Sequence, residues 1–365
     1  MNLLQAFRRP EQARALLDRI LRACGSHSYR FMEVCGGHTM AIWRYGLPNL
    51  LGQNVDLLSG PGCPVCVTPN EYLDRAIALS RLPNIIIVTF GDLMRVPGTS
   101  STLLLEKAGG ADIRPVYSSR DALTIAHANP DHIVIFLGIG FETTAPTIAA
   151  TIRATHEMGL RNLRLLSALK TMPQALRALA SSTEMKLDGL ILPGHVSTIT
   201  GSSIYDYLAR EFGLPCVISG FEPLDILQSI LMLVHQTNQK QAEIGIQYGR
   251  SVRIEGNVRA REVMGTVFEP CDAEWRGLGW IPQSGLRLNS QYQLMDAAGI
   301  EVEVEAAREP SGCRCGAVIR GAIRPEECGL FAVSCTPDNP IGACMVSEEG
   351  TCAAHYKYKS LEYSA

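Results

Sequence analysis

The sequence predicts an α/β fold with two Rossmann-like domains of parallel strands and a third, α+β, cysteine-rich domain. Short β-branched runs alternate with longer amphipathic segments over the first two thirds of the 365 residues, which is typical of βα units on a parallel sheet. Most of the predicted strands run into a polar or glycine-rich turn, as at the ligand-binding edge of such sheets. The last part of the chain is instead rich in cysteine, glycine and proline, which indicates a different kind of domain.

The predicted strands are, in order, 30–34, 55–59, 85–90, 133–138, 163–168, 189–192 and 216–219. Helices are predicted over 71–80, 144–156 and 173–181, and a long helical stretch over 224–247. A break is predicted at 118–130 and a loop-rich region at 271–289. We therefore predict a first α/β domain at 28–120, a second at 121–223, and a third formed by 1–27 and 224–365.

The composition excludes several classes of protein. The chain has 33 Lys and Arg against 36 Asp and Glu, so nothing indicates a nucleic-acid or anionic-membrane partner. The amino-terminal residues form an amphipathic pattern without the apolar run of a signal peptide. Other apolar runs are far shorter than the roughly 20 residues that cross a bilayer. We expect a soluble, cytoplasmic protein.

Twelve cysteines in a cytoplasmic chain indicate metal or redox chemistry, because the thiol pool there keeps structural pairs reduced. Half of them lie in the tail: Cys313, Cys315, Cys328, Cys335, Cys344 and Cys352. Thiolates in a glycine-rich, irregular backbone suit an iron–sulfur cluster, and a structural zinc site is the alternative, since zinc also binds four thiolates. The spacing alone does not select four ligands from the six.

A second cysteine motif, GPGCPVC, places Cys63 and Cys66 between a predicted strand and a predicted helix. Two cysteines with this spacing can cycle between a dithiol and a disulfide. Half of a zinc site, or two inert packed thiols, are the alternatives.

The turn CGGHT carries Cys35 and His38, again at the end of a predicted strand. Thiolate and imidazole together suit Fe(II), zinc or copper. The same pair can also act as nucleophile and base of a thiol hydrolase, or simply stabilise a buried turn.

The turn GIGFETT carries Glu142, Thr143 and Thr144 where a helix begins, so helix capping and ligand contact are both plausible roles. For His195 and Asp92, also at strand ends, we expect solvated or hydrogen-bonded roles. Cys24, Cys216 and Cys271 fit packed small hydrophobic residues; these three are not assigned to the site.

Four motifs in the same order, CGGHT, GPGCPVCVTP, GFETTAP and CRCGAVIRG…ECGLFAVSCTPDNPIGACMVSEEGTCAAHY, resemble the HypD family of hydrogenase maturation factors. The resemblance covers nearly the whole chain. It implies two Rossmann-like domains and a third domain that binds a [4Fe-4S] cluster. The family's ligand spacing falls here on Cys313, Cys328, Cys335 and Cys352, which leaves Cys315 and Cys344 outside the ligand set.

The resemblance also implies a function. In this family the protein is the scaffold on which the Fe(CN)2CO unit of [NiFe]-hydrogenase is built, in complex with the small chaperone HypC. The cyanide comes from HypE, which carries it as a thiocyanate on a C-terminal cysteine. On this basis we expect this chain to be an iron–sulfur maturation scaffold with two such partners.

We assign the motif residues to steps of that function. We expect Cys35, with His38 nearby, and a cysteine of HypC to hold the Fe(II) that receives the cyanide and carbonyl ligands. Cys63 and Cys66 would relay electrons from the cluster toward that iron. Glu142, Thr143 and Thr144 would shape the pocket or contact a partner. The rival interpretations are a cluster-dependent thiol–disulfide oxidoreductase and a zinc-stabilised binding module.

Overall fold

The computed structural model describes residues 8–182 and 186–359, and it contains two parallel sheets and one antiparallel hairpin. The strands are β1 (Tyr29–Glu33), β2 (Val55–Ser59), β3 (Ile85–Phe90), β4 (Ile113–Val116), β5 (Ile133–Gly140), β6 (Leu163–Leu169), β7 (Gly189–Pro193), β8 (Cys216–Ser219), β9 (Ile244–Ile246), β10 (Phe268–Trp275) and β11 (Gly279–Leu288). The helices are α1 (Pro10–Cys24), α2 (Gly36–Arg44), α3 (Leu47–Leu51), α4 (Pro64–Val67), α5 (Asn70–Ser80), α6 (Leu103–Ala108), α7 (Ser119–Ala128), α8 (Ala145–Glu157), α9 (Met172–Ser181), α10 (Gly194–Thr200), α11 (Asp206–Phe212), α12 (Pro223–Gln239), α13 (Val258–Val267), α14 (Cys315–Ile319) and α15 (Thr351–Lys359).

Each parallel sheet is formed by strands whose alternation with helices is visible in the sequence. Sheet A has the strand order β2-β1-β7-β8-β9 and sheet B the order β4-β3-β5-β6, with parallel pairing throughout. Their central strands are almost wholly buried, because helices cover both faces of such sheets. The predicted α/β class with parallel sheets is therefore confirmed.

The chain does not divide between the sheets as the predicted domains divide it. It leaves sheet A after β2, forms all of sheet B, and returns to sheet A at β7. The predicted ranges 28–120 and 121–223 therefore each combine strands of both sheets. The predicted break at 118–130 is α7, which begins with a capping box formed by Ser118 and Asp121. Long-range strand pairing, which leaves no local trace in the sequence, determines the division.

The range predicted for a third domain is also divided. The helical stretch predicted over 224–247 ends at Gln239, because Lys240 adopts a left-handed conformation with φ of 53°, and β9 then joins sheet A. The amino-terminal helix α1 packs on α12, next to sheet A. The loop-rich region predicted over 271–289 is the hairpin of β10 and β11.

The cysteine-rich tail contains only short helical turns before α15. Its buried residues, including Cys315, Val318 and Cys344, share one hydrophobic core with α4, sheet B and part of sheet A. Among the described residues, the tail therefore has no separate core of its own. None of the helices in this part of the chain, or elsewhere in 8–182 and 186–359, has the length and apolarity needed to span a membrane.

Ile20 provides a test of the packing of α1. Its side chain is fully buried between α1 and α12, so Ile20→Ala should lower the free energy of unfolding by about 2–5 kcal/mol. Leu105→Ala, at a position that is 61% exposed, should change it by no more than about 0.5 kcal/mol. Chemical denaturation followed by circular dichroism measures both, and equal effects of the two changes would contradict this packing.

Candidate redox and metal site

Most of the predicted functional turns lie at the points where the two sheets reverse their strand order, whereas the Cys63–Cys66 turn follows the edge strand β2. In sheet A the order reverses between β1 and β7, which are followed by the Cys35–His38 turn and by His195. In sheet B it reverses between β3 and β5, which are followed by Asp92 and by residues 142–144. Crevices at such reversals are where open α/β sheets bind their ligands. The two reversals therefore mark the candidate site.

The turn after β1 packs directly against the turn after β2. These strands are parallel neighbours with Glu33 opposite Ser59, so their turns emerge side by side. Gly36 N–H donates to the Gly62 carbonyl at 3.1 Å, and a Cβ atom on Gly62 would lie only 2.3 Å from Cys35 Cα. A side chain at position 62 would therefore push apart the two turns that carry Cys35 and the Cys-x-x-Cys motif.

Cys63 and Cys66 are joined as a disulfide with their Cα atoms 5.2 Å apart. Cys63 caps the short helix α4, since its sulfur accepts a hydrogen bond from Cys66 N–H at 3.2 Å. Both cysteines are buried, at 5% and 2% exposure. The pair has the geometry of the predicted dithiol–disulfide couple, and its sulfurs face the protein interior.

All six tail cysteines line one cavity, which is otherwise apolar. The lining consists of Cys313, Cys315, Val318, Cys328, Leu330, Phe331, Cys335, Gly342, Cys344, Met345 and Cys352. Gly342 is part of this arrangement, because a Cβ atom there would lie 2.7 Å from Cys313 Sγ. The backbone N–H of Ile341 donates to Cys335 Sγ at 3.4 Å, as backbone amides do for cluster ligands. The tail thus provides an all-thiol donor set around a shared space.

The thiols surround this cavity and do not converge on a point. Over residues 8–182 and 186–359, no group of three or more His, Cys, Asp or Glu side chains is arranged to hold a metal ion. A single zinc ion needs four donors within about 2.3 Å of one position. The purely thiol lining is compatible with an iron–sulfur cluster, which takes thiolate ligands, and zinc also binds four thiolates.

A three-residue segment of the tail contacts the disulfide and the cavity together. Gly342 and Cys344 line the cavity, and the carbonyl oxygen of Ala343 between them lies 3.9 Å from Cys66 Sγ. The Cys-x-x-Cys motif and the segment of the tail that carries Cys344 are therefore neighbours, although Cys66 and Ala343 are 277 residues apart in sequence.

The tail also reaches Cys35. A Cβ atom on Gly36 would lie 2.4 Å from the Cβ of Glu349, on the segment that leads to Cys352. Burial, and next the carboxylates of Glu349 and Glu33, together raise the pKa of the Cys35 thiol to about 12. Cys35 is therefore a neutral thiol at physiological pH unless a cation replaces its proton.

His38 is fully buried and neutral. Its Nε2 lies 3.2 Å from the Ser219 carbonyl and 3.0 Å from the Gly220 carbonyl; since carbonyls only accept, Nε2 carries the ring hydrogen. Nδ1 has no hydrogen-bond partner within the described structure. Burial lowers the pKa of His38 to about 4. The ring stacks on Phe221 at 4.5 Å, and exposed His195 stacks on the same ring at 3.9 Å.

A crevice of about 240 Å³ separates α4 from the reversal point of sheet B. Pro64 and Val65 line one side of it, and Thr144 and Asp92 are among the residues that line the rest. Thr143 is exposed on the adjacent surface. This crevice leads from the surface to the helix that carries the disulfide.

Glu142 lies beneath the surface and does not line that crevice. Its Oε1 accepts a hydrogen bond from Met172 N–H at 2.9 Å, at the start of α9. Glu142 therefore caps α9 and not α8, the helix that follows it in the sequence. Its Oε2 and the Tyr205 hydroxyl are buried without hydrogen-bond partners in the described residues. Burial, and next the charge of Glu142, raise the pKa of Tyr205. Glu142 is therefore placed at a buried junction between elements of the two sheets.

Sequence reasoning did not find Glu349, Phe221 or Arg276 as parts of this site. Phe221 lies within a strand-end turn, SGFEP, that the sequence does mark as unusual. Glu349 and Arg276 come near the cysteines only through long-range packing, so no local pattern indicates them.

The burial of Glu142 predicts how the stability of the protein depends on pH. Burial raises its pKa from 4.5 to about 7, so the folded protein retains a proton that the unfolded chain releases between these values. Its contribution to stability is present below pH 4.5 and is lost as the pH rises through 7. Glu142→Gln does not titrate, so the wild type should lose stability relative to this variant over that range.

The measurement is the free energy of unfolding of both proteins from pH 4 to 8. Glu262→Gln makes the same change on the exposed surface and should give a curve parallel to the wild type. Parallel curves for Glu142→Gln and wild type would contradict the buried, protonated state of Glu142.

The chain is similar to known proteins over almost its full length. The family model HypD, described as "Hydrogenase formation hypA family", matches residues 11–359. The hydrogenase maturation factor HypD of Rhizobium leguminosarum bv. viciae is 48% identical over 342 residues, covering 91% of this chain and 89% of that protein. HypD of Azotobacter vinelandii is 46% identical over 98% of this chain and 97% of its own length, and HypD of Escherichia coli K12 is 41% identical over 100% of both. The chain therefore belongs to the HypD family of hydrogenase maturation factors.

Proposed function

We propose that this protein is the scaffold on which the Fe(CN)2CO unit of a [NiFe]-hydrogenase is assembled. Its partners are a HypC-type chaperone and a HypE-type carrier that brings cyanide as a thiocyanate. Cys313, Cys328, Cys335 and Cys352 bind a [4Fe-4S] cluster, and the Cys63–Cys66 pair is the redox couple of the assembly site.

The contact of Cys66 with the Gly342–Cys344 segment is the single observation that carries this proposal. A buried disulfide beside a cavity lined by thiols is suited to exchange electrons with a cofactor held there. The Cys35 turn packs on the same loop through Gly62, so a metal ligand lies beside the redox pair. The redox pair and the proposed iron ligand Cys35 are therefore neighbours.

The cysteine pair performs the reductive part of the chemistry. Cyanide release breaks the S–C bond of the thiocyanate, and the carrier sulfur must receive two electrons. The dithiol form of Cys63 and Cys66 supplies them and becomes the disulfide, with its two protons going to the carrier thiol and to the released cyanide. A [4Fe-4S] cluster held by the tail cysteines would pass electrons one at a time from an external one-electron donor, and two such electrons with two protons would return the disulfide to the dithiol.

Cys35 and His38 hold the iron that receives the cyanide, together with a cysteine of the chaperone. The neutral His38 offers Nδ1, which has no other partner in the described structure. Cys35 gives up its proton when it binds the cation, and the nearby carboxyl groups of Glu33 and Glu349, whose own pKa values burial raises, add negative charge when they ionise. These three protein ligands leave positions open for diatomic ligands.

The crevice beside α4 supports a path of approach for the carrier. Thr144 and Val65 border it, and Thr143 is exposed next to it, so a cysteine at the end of a partner's chain can come near the disulfide from this side. We therefore assign Thr143 and Thr144 to partner contact, and Glu142 to the support of the loop beneath them.

The thiol–disulfide oxidoreductase is the alternative function. It requires a disulfide that a dithiol protein substrate can attack, and access through the crevice favours it. The low exposure of Cys63 and Cys66, 5% and 2%, weighs against direct attack by a protein thiol. Steady-state oxidation of a dithiol substrate by the isolated chain would favour this alternative over the scaffold.

Cys35→Ala tests the assembly site. The anaerobically purified complex with the chaperone should lose its infrared cyanide and carbonyl bands, because the iron loses a thiolate ligand. The matched control is Cys271→Ala, since Cys271 lies outside the cavity and is only half-buried. Mössbauer spectra of the same samples should show the cluster retained in both variants. Full retention of the infrared bands in Cys35→Ala would remove this residue from the iron site.

Metal analysis tests the cluster itself. The anaerobically purified chain should contain about four irons per molecule and no stoichiometric zinc. Cys328→Ala should lower the iron content, because it removes one of the four assigned ligands, whereas Cys24→Ala, in α1, should not. Stoichiometric zinc without iron in the wild type would instead support the zinc-stabilised module.

A further inference from the structure

Arg276 is a buried cation between the disulfide loop and the cavity of the tail cysteines. Among the described residues, the buried lysine and arginine residues are Lys170 and Arg276, which are 3% and 4% exposed as whole residues. Removing a guanidinium from water is costly unless hydrogen bonds and nearby charges compensate. The contacts of Arg276 therefore indicate which parts of the structure this cation stabilises.

One side of Arg276 binds the segment that follows Cys66. Its backbone N–H donates to the Val67 carbonyl at 2.8 Å, at the end of α4. The guanidinium donates to the Thr68 carbonyl through Nε at 3.1 Å and Nη2 at 2.8 Å, and Nη2 also donates to Asn70 Oδ1 at 2.6 Å. The guanidinium group thus binds the segment that directly follows the disulfide.

The neighbouring residue connects Arg276 to the cavity. Gly277 has a φ of 82°, and a Cβ atom on it would lie 2.6 Å from the Gly316 carbonyl oxygen. Gly316 follows Cys315 in α14, and Arg320 Nη1 donates to the Gly277 carbonyl at 2.5 Å. The hairpin turn that carries Arg276 therefore packs backbone to backbone on the helix that begins at a cavity cysteine.

The acidic partner of Arg276 lies on the outer side. Both oxygens of Glu309 accept from Nη1 at 2.7 Å, and the Glu309 side chain is 54% exposed whereas that of Arg276 is 3% exposed. Water screens the carboxylate more strongly than the guanidinium. The ion pair therefore presents its positive end toward the protein interior.

We propose that Arg276 is a positioning residue that also raises the reduction potential of the cofactor held by the tail cysteines. Reduction of a cluster adds one negative charge, and a fixed cation in a poorly hydrated region stabilises that charge. Reduction of the Cys63–Cys66 disulfide takes up two protons with two electrons, so its potential depends less on the cation. This inference rests on the proposed function, because it takes the cavity thiols as cluster ligands.

Redox titration of the anaerobically purified full chain, followed by EPR, tests the inference. Arg276→Gln should shift the cluster midpoint to a more negative potential, with a tenfold change in the one-electron equilibrium corresponding to about 59 mV. Arg276→Lys keeps the charge and should stay near the wild type. Glu309→Gln removes the outer carboxylate and should shift the midpoint to a more positive potential.

A second measurement uses the cluster-free protein. Thiol labelling in glutathione buffers reports the Cys63–Cys66 equilibrium, which we expect to change less than tenfold in Arg276→Gln. An unchanged midpoint in Arg276→Gln, or an equal decrease in Arg276→Lys, would overturn the inference. If Arg276→Gln does not fold, Glu309→Gln provides the test. A cluster midpoint potential in Glu309→Gln that equals that of the wild type, or is more negative, would also overturn the inference. A wild-type protein without any cluster would refute the proposed function instead.

Discussion

Backbone contacts that leave no space for a Cβ atom hold the candidate site together. Gly62 lies against Cys35, Gly36 against Glu349, and Gly342 against the sulfur of Cys313. Each contact joins segments that are distant in sequence, and each requires the absence of a side chain. The arrangement of the thiols therefore depends on these close approaches more than on hydrogen bonds between the thiols themselves. Rigid backbone packing of this kind is what a site needs if donors must keep fixed positions.

The interleaved path of the chain explains why such contacts are possible. Because the chain forms sheet B between two visits to sheet A, the turns after β1 and β2 are held close to elements of both sheets. The tail then returns over this junction, with Ala343 against Cys66 and Glu349 against Gly36. Two separate domains in series would leave the cysteines of the tail free to move relative to the disulfide. Shared burial in one core prevents that movement.

The sequence predicts those parts of the fold that have a local cause. Short runs such as 55–59, 85–90 and 216–219 appear as strands with the predicted bounds. The missed parallel strands β4 and β9 are short edge strands, and β4 contains Pro115, which only an edge strand tolerates. The motif turns were placed correctly at strand ends. Their mutual contacts, and the roles of Glu349 and Arg276, depend on packing between distant segments, so the sequence alone could not reveal them.

The charges around Cys35 favour a metal ligand over a nucleophile. A cysteine–histidine pair acts in thiol hydrolysis only if the imidazole can take the thiol proton. Burial raises the pKa of Cys35 to about 12 and lowers that of His38 to about 4, so the proton remains on sulfur. The carboxylates of Glu349 and Glu33 oppose a free thiolate, but they attract a divalent cation that displaces the proton. The surroundings of Cys35 therefore argue against the hydrolase interpretation and support the proposal that Cys35 is an iron ligand.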